Sequence, residues 1–62
     1  MKYIIWYDAT IGEYRWGSED DYREAVANTV DNAILAEEFM NTSSALVEKI
    51  TDKLNKNLVL VK

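Results

Sequence analysis

At 62 residues the chain has room for one domain, residues 1–62, and a fold of this size buries only about 60% of the surface its unfolded chain exposes, so modest stability is expected. With no Cys and no His, disulfides, thiolate or imidazole metal sites and the commonest nucleophiles and general bases are excluded. A net charge of −4, with seven Lys and Arg against eleven Asp and Glu, disfavours direct binding to nucleic acid, which depends on neutralising phosphates.

The apolar residues, 48% of the chain, are grouped into runs, which argues for a folded domain rather than a disordered segment. Residues 2–8, KYIIWYD, are dense in β-branched and aromatic side chains and predict a strand, with a second at Glu13–Trp16. Between them Ala9–Gly12 forms the turn: Asp8 caps it with its carboxylate and Gly12 supplies the positive φ that closes it. A four-residue loop sets Asp8 against Glu13, Tyr7 against Tyr14, Trp6 against Arg15 and Ile5 against Trp16. The apolar run Tyr3–Tyr7 is too short for a signal-peptide core or a membrane span, so no membrane partner and a cytoplasmic location are expected.

Ser18 is a good helix N-cap with Asp21 at the capping-box position, and Glu19, Asp20 and Asp21 complement the positive end of the helix that follows. Tyr22, Ala25, Val26, Thr29 and Val30 share one side of its wheel, and Glu19 can pair with Arg23 one turn on. After Val30 the helical period breaks, and Asp31-Asn32 reads as a turn. Residues 33–39 are then assigned to a third strand, although Ala, Leu, Glu and Met favour helix. Thr42-Ser43-Ser44 offers N-caps for a second helix with Leu46, Val47, Ile50 and Leu54 as its apolar stripe. Asn57 is placed to end it, and Leu58–Val61 reads as a final buried strand.

The expected fold is therefore a small two-layer α+β domain of order β-β-α-β-α-β, an N-terminal β-hairpin with both helices on one sheet face. The alternative is β-β-α-α-β with residues 33–39 helical.

Chemistry has few places to sit. Ser18, Ser43 and Ser44 are in capping positions beside no base, the Glu19–Asp21 run lacks the spacing of a calcium loop, and there is no Gly-rich phosphate loop. No catalytic residue, no metal ligand set and no cofactor is expected, and an enzyme is not predicted.

The aromatic hairpin is the richer feature, holding five of the seven aromatic residues, Tyr3, Trp6, Tyr7, Tyr14 and Trp16. One face carries Tyr3, Ile5, Tyr7, Tyr14 and Trp16 and is expected to pack under the helices. Ile4, Trp6 and Arg15 are left on the other face as candidates for an interaction surface, since Trp and Arg are prominent at interfaces. The function expected is a small non-enzymatic protein-interaction module that binds a protein partner or a second copy of itself as a homodimer. An alternative is an acidic decoy or inhibitor that mimics nucleic acid or blocks a basic partner, using Glu19, Asp20, Asp21, Glu24, Asp31, Glu37 and Glu38. Those seven carboxylates face a single Arg within residues 18–40, whereas residues 41–62 hold four Lys against two acids.

Overall fold

The computed structural model describes residues 1–61, with the side chains of Val30 and of residues 59–61 outside that description. The hairpin consists of β1 (Lys2–Asp8) and β2 (Glu13–Ser18), paired in the register expected from a four-residue loop, Trp6 opposite Arg15 and Ile5 opposite Trp16. Its turn is built as the residues dictate. The Asp8 carboxylate accepts from the Thr10 N–H at 2.9 Å, the Asp8 carbonyl from the Gly12 N–H at 2.8 Å, and Gly12 sits at φ 72°.

Strand β2 runs two residues further than predicted and passes directly into α1 (Glu19–Thr29). The junction is a reciprocal capping box: the Ser18 N–H donates to Asp21 Oδ2 at 3.0 Å, and the Asp21 N–H donates to Ser18 Oγ at 3.2 Å. Gly17 permits this close approach, because a Cβ there would fall 2.8 Å from the Cβ of Asp21. A 3-10 turn at Val30–Asn32 then leads into β3 (Ala33–Met40).

Residues 33–39 are thus strand, and the helical alternative falls away. The sheet has the order β2-β1-β3, all antiparallel, with β1 in the centre. Ile4 and Ile5 are 3% and 0% exposed, so the backbone of β1 lies in the interior and needs hydrogen-bond partners on both edges. β2 supplies one and β3 the other. That demand outweighs the helical preference of Ala, Leu and Glu, worth a few tenths of a kcal/mol each.

Asn41 then takes φ 56°, which turns the chain out of the sheet, and Ser43 caps α2 (Ser44–Val61) through Leu46 N–H to Ser43 Oγ at 3.3 Å. The order β-β-α-β-α matches the sequence reading, but the final strand does not form: residues 58–61 continue α2. Asn57 keeps a helical backbone, and Leu58 follows Val47, Thr51 and Leu54 at helical spacing on one side of the helix. An apolar run carries no period of its own, so a helix already under way absorbed it.

The helices also divide the sheet faces rather than sharing one. Successive residues of a strand point to opposite faces, yet Ile4, Ile5 and Trp6 are all buried. α1 lies on the Ile4/Trp6 side, where the Tyr22 ring packs 5.6 Å from that of Trp6. The Ile5 side falls to α2, which contacts β2 and β1 and whose Val47 is fully buried. On that side Tyr3 packs edge-on against Trp16 and Tyr7 against Tyr14, at centroid distances of 5.9 and 5.2 Å.

Candidate interaction surface

The three residues singled out from the sequence have different fates. Trp6 and Arg15 are brought together as a cross-strand pair, and Arg15 is exposed. Ile4 and Trp6 are not surface residues: they are 3% and 4% exposed beneath α1. The expectation of an open aromatic face rested on both helices packing on the other side, and it fails for the same reason that placement fails. Beside Trp6 there is a solvent-open cleft of about 390 Å³ between α1 and β2, with Arg15, Asp21 and Glu24 among the residues that line it. The indole Nε1 of Trp6 is buried with no hydrogen-bond partner among the described residues.

The two sheet edges differ more than the two faces. At β2 the outer edge is occupied by a side chain of α2: Asn55 Oδ1 accepts from the Tyr14 N–H at 2.7 Å, and Asn55 Nδ2 donates to the Tyr14 carbonyl at 3.1 Å. One amide thereby does for Tyr14 what a neighbouring strand would do.

No element pairs with the outer edge of β3 among the described residues. Ala36 is an extra residue at a β-bulge: Ile5 pairs with Glu37 and Trp6 with Leu35. The Asn32 carbonyl accepts from Ala9 and the Asn41 N–H donates to Met1, so both ends of the strand point those groups inward. Alternation from each end to the bulge turns the backbone groups of Ala33, Leu35, Glu38 and Met40 outward. Thr42 Oγ1 donates to the Met40 carbonyl at 3.3 Å. Ile34, Leu35 and Met40 are 53%, 48% and 66% exposed, and Met1, at the Met40 end of the strand, is exposed as well.

Charge is distributed about this edge. α1, the 3-10 turn and β3 carry all seven carboxylates named above, whereas Lys49, Lys53 and Lys56 lie on α2. Lys2 and Arg23 are cations on the acidic side, Lys2 with its Nζ 2.6 Å from Glu38 and 3.1 Å from Glu19, and Arg23 3.4 Å from Glu19. Glu38 foremost, then Glu19, holds the Lys2 ammonium above its ordinary pKa of 10.5; Lys2 foremost, with Arg23 adding, holds the Glu19 carboxyl below its ordinary 4.5. Among the described residues no group of three carboxylates converges as a metal site.

The signs of these shifts give a pH dependence. The share of stability carried by the depressed Glu19 is present above its unfolded pKa and lost as pH falls through the lower folded value. The share carried by the raised Lys2 is present below its unfolded pKa and lost as pH rises through the higher folded value. Lys2→Met is therefore expected to lower the urea midpoint slightly at about pH 7 and to converge on the parent protein as pH falls through the lowered folded value of Glu19 or rises through the raised folded value of Lys2. A deficit that is constant across that range would assign the role of Lys2 to its aliphatic stem.

The β3 edge lies outside the aromatic-rich segment that marks the hairpin in the sequence. Its signal was nonetheless present: Ile34, Leu35, Glu37 and Glu38 put apolar and charged side chains on both faces of one strand, a pattern that suits an edge and not a sheet centre. Comparisons with protein-family models, with curated proteins and with solved structures find no match to this chain. No helix among the described residues is long and apolar enough to cross a membrane.

Proposed function

We propose that this chain is a small, non-enzymatic protein-interaction module whose contact surface is the open β3 edge with its exposed Ile34, Leu35 and Met40. The observation that carries this reading is the difference between the two sheet edges: Asn55 occupies the outward backbone groups of Tyr14 on β2, and β3 keeps outward backbone groups beside exposed apolar side chains. Strand addition uses both features, main-chain hydrogen bonds for affinity and alternate side chains for selection. Self-association through the aromatic face is set aside, because Ile4 and Trp6 are engaged in packing. The acidic-inhibitor reading draws support from the gathering of carboxylates along α1, the 3-10 turn and β3. It describes the same side of the domain.

Amide hydrogen exchange on the dilute chain tests the reading. Leu35 and Glu38 are expected to exchange fast and Tyr14, bonded to Asn55, slowly. Slow exchange at Leu35 and Glu38 in the dilute protein would mean that the edge is already covered, and the proposal would be withdrawn.

A further inference from the structure

Resting on the reading of β3 as a docking edge, we infer that its occupant is an extended peptide segment of another protein, alternating apolar with Lys or Arg residues, which joins the sheet as a fourth strand. The backbone supplies outward groups at Ala33, Leu35 and Glu38. The side chains define what may lie beside them. Ile34 and Leu35, on opposite faces, offer apolar contact to a neighbouring strand on both sides of the sheet.

Glu37 and Glu38 likewise point to opposite faces, so a strand added here meets a carboxylate whichever face its side chain takes. Glu38 has Lys2 as a partner, but Lys2 is shared with Glu19, and Glu37 has no salt bridge among the described residues. Like charges directly across a strand pair are unfavourable and opposite charges favourable, so the strand that fits brings cations to this stretch.

The same charges argue against a second copy. β3 contains no Lys or Arg, and Asp31 stands just before it, so two β3 strands laid edge to edge bring carboxylates from both sides and no cation of their own to the seam. Lys49, Lys53 and Lys56 are exposed on α2, a helix whose main sheet contacts are with β2 and β1. The bulge at Ala36 interrupts the outward ladder, which suits a short flexible peptide better than a second rigid, equally bulged strand.

The test uses the full chain and two synthetic peptides of equal length, one alternating Val and Lys, the other Val and Glu, with calorimetric titration and amide exchange as readouts. The Lys peptide is expected to bind at least about tenfold more tightly than the Glu peptide, to slow exchange at Leu35 and Glu38, and to weaken as salt is raised. Glu37→Lys, at an exposed position, should reduce that preference. Leu35→Pro removes an outward N–H that β1 does not use and should abolish binding, with circular dichroism reporting the fold. Equal binding of both peptides would overturn the basic-partner inference and leave the edge reading standing. Concentration-dependent dimerisation in sedimentation without peptide binding would replace the peptide by a second copy. A monomer that binds neither peptide would overturn the inference and the edge reading together.

Discussion

Asn55→Ala is expected to cost roughly 1–3 kcal/mol of folding stability, the range for leaving a partly buried donor and acceptor without their partners. Both hydrogen bonds from Asn55 go to the backbone of a single residue, Tyr14, 41 positions away in sequence. They are the side-chain hydrogen bonds that tie α2 to the sheet among the described residues, where the rest of the contact is apolar packing through Val47 and its neighbours. Alanine recovers a few tenths of a kcal/mol through its higher helix propensity, which sets the net at the lower half of that range. For a chain of this length, whose total stability is on the order of 3–9 kcal/mol, the effect is easily measured. The urea midpoint should fall with the slope unchanged, and exchange at the Tyr14 amide should accelerate. Asn55→Asp separates the two bonds: the carboxylate still accepts from the Tyr14 N–H but offers no donor to the carbonyl. If Asn55→Ala leaves both the midpoint and the Tyr14 amide unchanged, the β2 edge is closed by something other than this side chain.

How much of this fold could be read from the residues alone depends on whether the signal was local. The turn at Asp8–Gly12, the hairpin register, the capping box at Ser18 and Asp21 and the caps before α2 are short-range devices, and each is found where the sequence places it. β3 runs against its own propensity and forms because β1 needs a second partner, a requirement written in residues 2–8 and not in 33–40. Leu58–Val61 shows the converse: without a Gly or Pro to stop α2, an apolar run reads equally as strand or helix.

Tertiary placement was the least legible part. Nothing in the sequence states on which side of the sheet a helix will pack, and that single choice decided whether Ile4 and Trp6 were surface or core. Asn55 was likewise invisible, since a polar residue on a helix carries no mark of the distant backbone it will meet. Of the candidate site only Arg15 stayed at the surface, while the β3 edge emerged from the order of the strands.

Trp6→Ala should cost the most of any substitution considered, about 3–5 kcal/mol for truncating a buried Trp, which approaches the whole stability of so small a domain. Its ring packs against Tyr22, so its loss removes both a part of β1's core face and the seat of α1. Trp6→Phe separates packing from polarity. The phenyl ring keeps the contact with Tyr22 and removes an indole N–H that has no acceptor among the described residues. Relief of that desolvated donor, worth about 1–3 kcal/mol, offsets much of the lost volume, so the net cost should stay below about 1.5 kcal/mol. Thermal and urea unfolding of the two variants decide the matter: a Phe variant as damaged as the Ala variant would show that the indole N–H has an acceptor, whereas an undamaged Ala variant would remove Trp6 from the core. With so large a share of the stability expected to be lost, a loss of partner binding on Trp6→Ala reports the damaged sheet and not a contact made by the indole. Evidence on the interaction surface has to come from Leu35 and Glu37, whose side chains can be changed while β1 keeps its place.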